Sequence, residues 1–120
     1  MAVTLHQGAF AHLKNLIVDG MATYDDRDAW SEHRPSARDQ NDFIRERGFF
    51  EYGKWFLGID DDEPANTKAH YKFPCGDFHT VHRCAVLTAE SRAGQYKYFD
   101  IERAAAHLHG MIEASRKKAA

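Results

Sequence analysis

The chain has 120 residues, of which 43% are hydrophobic and 28% are charged, and its formal net charge is −2. This composition excludes an intrinsically disordered chain, and no segment approaches the roughly 20 apolar residues that a membrane span needs. The start of the chain lacks the positive charge and the apolar run of a secretory signal, and its two cysteines are too few for a disulfide framework. We therefore expect one cytoplasmic domain over residues 1–120, without a membrane partner.

Charge is unevenly distributed along the chain. Residues 1–63 carry 7 Lys and Arg against 13 Asp and Glu, a net −6, whereas residues 64–120 carry 9 against 5, a net +4. Such asymmetry can mark a basic surface that meets an acidic partner.

The first half of the chain predicts three helices. Apolar residues recur at helical spacing over residues 5–19, and Gly20 ends the pattern. Ser36, with Asp39 three residues later, is typical of a helix start, and Gly48 ends this second helix. Aromatic residues share one helical face over residues 49–57, which predicts a third, aromatic helix that ends at Gly58. Over residues 58–76 no helical period is present, so we expect a long ordered loop.

The second half predicts a helical hairpin. Asp77 is expected to cap a fourth helix over residues 78–93, which Gly94 ends, and Asp100 is expected to cap a fifth. The fifth helix carries an apolar stripe made of Ile101, Ala104, Ala105, Leu108, Met111 and Ile112. We predict an all-α fold of about five helices, in which this alanine-rich hairpin packs on the aromatic helix and on the N-terminal helix.

Cys75, His79 and His82 are candidate zinc ligands, because thiolate and imidazole groups bind zinc most often. In a helix that begins after Asp77, the two histidines would share a face, and Cys75 would fold back from the turn. Cys84 would lie about 200° around the helix from His82, so it is left out of the set. Because the spacing matches no zinc-finger pattern, a buried cysteine and hydrogen-bonded histidines are the favoured interpretation, with zinc as the alternative cofactor.

Five residues are expected to make structural or binding contacts: Asp77, His82, Arg83, Arg92 and Asp100. Arg92 lies on the apolar side of the fourth helical pattern, where an arginine usually pairs with a carboxylate. Asp77 and Asp100 are its expected partners.

Two further function classes stay open. Arg83, Arg92, Lys97 and Arg103, near the aromatic residues at positions 96, 98 and 99, would allow nucleic-acid binding. Acid, base and nucleophile residue types also occur on the fourth helix. No strand-to-helix nucleophile turn is present, however, so an enzyme is the less favoured interpretation.

Several short motifs stand out: Trp30-Ser-Glu-His33, Leu57-Gly58-Ile59-Asp60, Lys72-Phe73-Pro74, Gly76-Asp77-Phe78, Val81-His82-Arg83 and Ala89-Glu90-Ser91-Arg92-Ala93. With these motifs the chain resembles, over about residues 10–112, a family of small bacterial proteins of uncharacterised function. Residues 73–108 are also similar, more loosely, to a helical segment of some phage-head-associated proteins. The resemblance implies that Asp77, His82, Arg83 and Arg92 belong to the family pattern, and it brings no activity, cofactor or catalytic residue.

The sequence thus favours a small non-enzymatic binding or interaction module. Its expected partner is a protein, including a second copy of the chain, and its expected contact is the turn over residues 73–82 with the basic surface of the fourth helix. The alternatives are a zinc-binding protein or metal-dependent enzyme that uses Cys75, His79 and His82, and a nucleic-acid-binding protein.

Overall fold

The computed structural model describes residues 3–119, and the side chains of residues 3–116. Within that range the chain forms five α-helices, five short strands and one 3-10 turn. Their order is β1 (Val3–Leu5), α1 (Gln7–Val18), β2 (Ala22–Thr23), α2 (Trp30–His33), α3 (Ala37–Gly53), β3 (Phe56–Asp60), the 3-10 turn (Lys68–His70), β4 (Tyr71–Pro74), β5 (Val81–His82), α4 (Arg83–Gln95) and α5 (Phe99–Ala119).

The fold class is α+β, so the predicted all-α fold is wrong. Strand β3 is the centre of a three-stranded antiparallel sheet, with β1 on one side and β4 on the other. Strands β2 and β5 form a separate parallel pair, in which Ala22 lies opposite Val81 and Thr23 lies opposite His82. This short pair brings the segment after Thr23 beside the start of α4.

The aromatic third helix predicted over residues 49–57 is also wrong. Helix α3 runs on through Gly48, which takes a φ of 84° and kinks it, and ends at Gly53. The chain then enters β3 at Phe56, where residues 56–58 are buried. Aromatic residues three and four apart fit a helix face, but Phe49 and Tyr52 lie in α3 and Phe56 begins the strand, which pairing with β1 and β4 stabilises.

Helix α4 begins five residues later than the sequence predicts. The Asp77 carboxylate accepts hydrogen bonds from the backbone N–H groups of His79 (2.9 Å) and Thr80 (2.8 Å), so it closes a turn instead of capping a helix. Phe78 in that turn has a φ of 72°, which cannot continue into a right-handed helix. His82 therefore lies in β5 and occupies the N-cap position of α4.

The two C-terminal helices pack along one another, and α1 packs against α5. Their buried faces meet the sheet in one core among the described residues, which includes Leu13, Ile17, Tyr52, Leu57, Val86, Ile101, Leu108 and Ile112. Small residues such as Ala89, Ala93 and Ala105 lie at the contact, where they allow the helices to approach closely. Within the described chain, no helix is both long and apolar enough to cross a membrane.

Candidate metal centre

The Asp25 carboxylate is the centre of a buried polar cluster. Its Oδ2 atom lies 2.8 Å from Nδ1 of His33, 2.7 Å from Nδ1 of His82 and 3.0 Å from Sγ of Cys84. Its Oδ1 atom accepts a hydrogen bond of 2.8 Å from the backbone N–H of Cys84. Because four groups converge on one carboxylate, Asp25 connects its own segment, which includes His33, to the distant segment that includes His82 and Cys84.

The ligating atoms of Asp25, His33, His82 and Cys84 all lie within 4.8 Å of one another. The side chains of Asp25 and His82 are only 7% and 8% exposed, whereas that of His33 is 39% exposed. The cluster therefore opens to solvent on the side of His33. A set of two imidazoles, one thiol and one carboxylate has the donor types that bind zinc.

Asp25 also supplies the cap that α4 lacks locally. His82, at the N-cap position, makes no side-chain cap hydrogen bond, and the α4 backbone N–H of Cys84 is satisfied by Asp25 instead. A carboxylate at a helix N-terminus compensates the exposed N–H groups and the helix dipole. The same side chain therefore positions Cys84 and orients the start of α4.

His82 lies between two carboxylates. Its Nδ1 faces Asp25 and its Nε2 lies 2.8 Å from Oδ2 of Asp77. Burial opposes protonation of the ring, but the hydrogen bonds with Asp77 and Asp25 outweigh it and raise the pKa of His82 above 6.5. Only an imidazolium ring can donate to both carboxylates at once, one hydrogen bond from each ring nitrogen.

The contact between Asp25 and Cys84 shifts the pKa values of the two groups in opposite directions. Burial opposes ionisation of Asp25, but the hydrogen bonds from Cys84, His82 and His33 prevail and hold its pKa well below the ordinary value of 3.8. Burial, together with the hydrogen bond to Asp25, raises the pKa of the Cys84 thiol to about 12. Cys84 is therefore a poor nucleophile in the metal-free cluster, because only the thiolate attacks.

The structure does not bring together the three zinc ligands that the sequence predicts. His82 lies in the cluster, but the four converging ligand groups include neither Cys75 nor His79. Cys75 is fully buried, its Sγ lies 3.6 Å from the Phe73 carbonyl oxygen, and burial strongly raises its pKa. His79 is exposed in the turn before β5. Because α4 starts only at Arg83, the two histidines do not share a helix face.

The expected contact residues have separate roles. Arg83 donates from Nε to Glu113 (2.8 Å) and from Nη1 to the Asp25 carbonyl oxygen (3.0 Å). It therefore holds the backbone of Asp25 in position next to α4 and α5. Asp100 accepts a hydrogen bond of 3.1 Å from the backbone N–H of Leu5, which ties α5 to β1.

Arg92 is exposed on α4. None of the ion pairs among the described side chains includes it. The expected pairs with Asp77 and Asp100 are therefore wrong, because residues such as Ala85, Ala89 and Ala93 form the buried face of α4 and leave Arg92 exposed.

Sequence reasoning missed Asp25, His33 and Cys84. Cys84 was set aside on the assumption of a helix through His82, and Asp25 lies in an acidic segment that resembles a solvated loop. The available signal was a histidine in each of two short motifs, Trp30-Ser-Glu-His33 and Val81-His82-Arg83. Comparisons with protein-family models, with curated proteins and with solved structures give no significant match.

Proposed function

We propose that the protein is a small non-enzymatic binding module that holds one zinc ion at Asp25, His33, His82 and Cys84. The observation that carries this proposal is the convergence of the four ligand groups, whose ligating atoms lie within 4.8 Å of one another. In a tetrahedral zinc site, adjacent donor atoms are about 3.3–3.7 Å apart, given bond lengths of about 2.0–2.3 Å. To reach that spacing, the distances of 2.7–3.0 Å from Asp25 Oδ2 to the other donors would have to widen, and any pair near 4.8 Å would have to close.

The chemistry of the donors favours zinc over the hard cations. Calcium and magnesium take oxygen ligands almost entirely, whereas one thiolate and two imidazoles are the ligands of zinc and of related transition metals. A bound dication would displace the Cys84 proton and the Nδ1 proton of His82. Asp77 would then accept the remaining Nε2 proton and orient the ring, which is the usual support of a metal-bound histidine.

A site with four protein ligands supports a structural role. Catalytic zinc keeps an open position for water or substrate, whereas structural zinc is enclosed by four protein ligands. The ion would fasten the segment that contains Asp25 and His33 to the segment that contains His82 and Cys84. The reducing cytoplasm, which we expect from the sequence, would keep the Cys84 thiol available for zinc.

The first experiment is a zinc titration of the full chain against a chromophoric chelator, with cobalt as a spectroscopic substitute. We expect one metal ion per chain and, with cobalt, a thiolate-to-metal charge-transfer band. Cys84→Ala should remove the band, and both Cys84→Ala and His33→Ala should weaken zinc binding by at least about 100-fold, since each removes a ligand.

The chain offers matched controls for both substitutions. Cys75→Ala also removes a buried thiol, and His79→Ala also removes an imidazole, but neither should change zinc affinity by more than about twofold, because neither belongs to the cluster. Loss of zinc in these two variants would favour the set predicted from the sequence. Wild-type protein that binds no zinc would leave the cluster as a hydrogen-bond network and would reject the proposal.

We also propose that the partner of the module is a protein, and a second copy of the chain can be tested directly. Phe50 on α3 is 76% exposed, the highest value among the large hydrophobic side chains that the structure describes, and the Lys54 ammonium lies 4.9 Å from its ring centroid. Equilibrium sedimentation of the wild type and of Phe50→Ser should show a concentration-dependent dimer only in the wild type. A monomeric wild type would exclude the second copy.

A further inference from the structure

We propose that a cavity beside α2 binds a small organic anion with a planar ring, of the nucleoside monophosphate class. The cavity has a volume of about 660 Å³ and is lined by three parts of the chain: the segment 27–34, strand β4 with its neighbours, and the end of α4 with the turn to α5. Pockets for small ligands commonly span about 300–1,000 Å³. The proposal is independent of the metal, because the cavity uses none of the four metal ligands.

Four cationic side chains line the cavity: Arg27, Arg34, Lys72 and Arg92. None of the ion pairs among the described side chains includes any of them. Two carboxylates, Asp28 and Asp60, also line it, so the formal charge of the lining is 4 − 2 = +2. Since the whole chain has a net charge of −2, this concentration of positive charge favours an anionic ligand.

Aromatic side chains form part of the same lining and favour a ring. Trp30 and Tyr98 both line the cavity, and Tyr98 is braced by the Phe73 ring at 6.0 Å in an edge-to-face arrangement. Tyr96 stacks on Tyr98 at a centroid distance of 5.9 Å. A flat ring that enters the cavity would lie beside aromatic side chains, which bind bases by stacking.

The two carboxylates in the lining favour a nucleotide over a simple anion as the ligand. Asp60 is only 5% exposed, and its Oδ1 accepts a hydrogen bond of 3.0 Å from the backbone N–H of Asp62. Its other oxygen has capacity for a further donor. A carboxylate repels a phosphate ion by like charge, whereas ribose hydroxyls and an exocyclic amino group are uncharged donors that it can accept. The lining therefore offers cations for the phosphate of a nucleotide, aromatic side chains for its base, and carboxylate acceptors for its hydroxyl and amino groups.

The wall of the cavity contains a strained backbone. Phe73 has a φ of 63°, a conformation that is unfavourable for a bulky side chain. Its ring is thereby directed toward Tyr98, and it lies between Lys72 and Pro74, which also line the cavity. Strain of this kind is concentrated at binding sites, so the position of Phe73 supports the assignment.

The test is calorimetric titration of the full chain with adenosine monophosphate, with adenosine and inorganic phosphate titrated separately. We expect saturable binding of the nucleotide, at least about tenfold tighter than of either part, because the ring and the phosphate use different sides of the cavity. Arg92→Gln and Lys72→Gln should each weaken it by about tenfold or more. Arg103→Gln, an equally exposed arginine on α5 that does not line the cavity, should leave it unchanged.

Fluorescence locates the ligand. The chain has two tryptophans, and Trp55 is only 6% exposed in the core, so quenching by the nucleotide should come from Trp30 and should disappear in Trp30→Phe while calorimetric binding persists. Absence of saturable nucleotide binding, or unchanged binding in both Arg92→Gln and Lys72→Gln, would overturn the proposal. If inorganic phosphate bound as tightly as the nucleotide, the assignment of a planar ring to the ligand would be overturned. A single-stranded oligothymidine that binds more tightly through the same residues would replace the small ligand with nucleic acid.

Discussion

Asp25 and Cys84 are joined by two hydrogen bonds to the same carboxylate, one from the Cys84 backbone N–H to Oδ1 at 2.8 Å and one from Sγ to Oδ2 at 3.0 Å. The first bond replaces the missing local cap of α4, and the second brings a thiol into contact with a buried carboxylate. One side chain thus determines both where α4 begins and which groups can reach a metal.

Asp25→Asn should destabilise the metal-free protein by about 3 kcal/mol. The substitution keeps the size of the side chain but removes the charge that pairs with His82, and breaking a buried charged pair costs about 3–5 kcal/mol. Urea unfolding in chelator gives the free energy directly. Asp26→Asn, at the exposed neighbouring position, should change it by less than about 0.5 kcal/mol. Equal effects in the two variants would contradict the role of Asp25.

The metal-free protein should lose stability as the pH rises above about 6.5. Burial is outweighed by the hydrogen bonds of His82 with Asp77 and Asp25, so its folded pKa is raised. A raised histidine pKa contributes stability that is complete below the unfolded value of 6.5 and is lost as the pH rises through the folded value. Asp25, whose pKa is lowered, contributes stability above 3.8 that is lost as the pH falls further.

In the presence of zinc, the stability of the protein should rise with pH above about 6.5 instead of falling. Zinc binds the neutral imidazole and the thiolate, so its affinity rises with pH. Urea midpoints between about pH 5 and pH 9, measured with chelator and with zinc, should therefore diverge on the alkaline side. His82→Gln should flatten both curves, whereas His79→Gln, at an exposed position, should not. Parallel curves with and without zinc would argue against His82 as a ligand.

Asp77→Asn should weaken zinc binding by about tenfold without removing a ligand. Asp77 holds Nε2 of His82 at 2.8 Å, and an amide accepts that proton less strongly and can present its NH₂ group instead. The competition titration with a chromophoric chelator measures the change. The control is Asp39→Asn at the start of α3, which should lower stability slightly through its capping box and leave zinc affinity unaltered.

Gly76→Ala should destabilise the protein by about 3 kcal/mol through overpacking. A Cβ atom at this position would lie 2.5 Å from the Thr80 carbonyl oxygen and 2.6 Å from the Trp55 ring. Gly110→Ala, where the added Cβ would meet nothing within 4 Å, should instead stabilise α5 by about 0.5–1 kcal/mol. Thermal melting of both variants checks the pair, and a Gly76→Ala protein as stable as the wild type would show that the turn at residues 76–81 can relax.

Local signals were sufficient for parts of the fold. Ser36 accepts a hydrogen bond from the backbone N–H of Asp39 at 3.0 Å, and the Asp39 side chain accepts one from the Ser36 backbone N–H at 3.3 Å, which confirms the predicted helix start. The stripe from Ile101 to Ile112 lies on a real helix. These features depend on residues within a few positions of one another, and such interactions are encoded in the local sequence.

The sheet and the candidate site could not be predicted in the same way, because both depend on contacts between distant residues. Residues 56–60 form a strand because β1 and β4 pair with them, and the helical spacing of Phe56 from Tyr52 in α3 concealed this. Asp77 follows the pattern of a cap, but its carboxylate closes a turn while Asp25, 59 residues before Cys84, caps α4. A single sequence carries no signal for a cap supplied from so far away.

The segment of residues 25–34 contributes side chains to two places. Asp25 and His33 belong to the candidate metal centre, and Arg27, Trp30 and Arg34 line the cavity. A ligand on either side restricts the same stretch of backbone, so part of the entropy lost in one binding event need not be lost in the next. The two proposed sites would then be thermodynamically linked. Whatever factor zinc added to the affinity for the nucleotide, the nucleotide would add to the affinity for zinc.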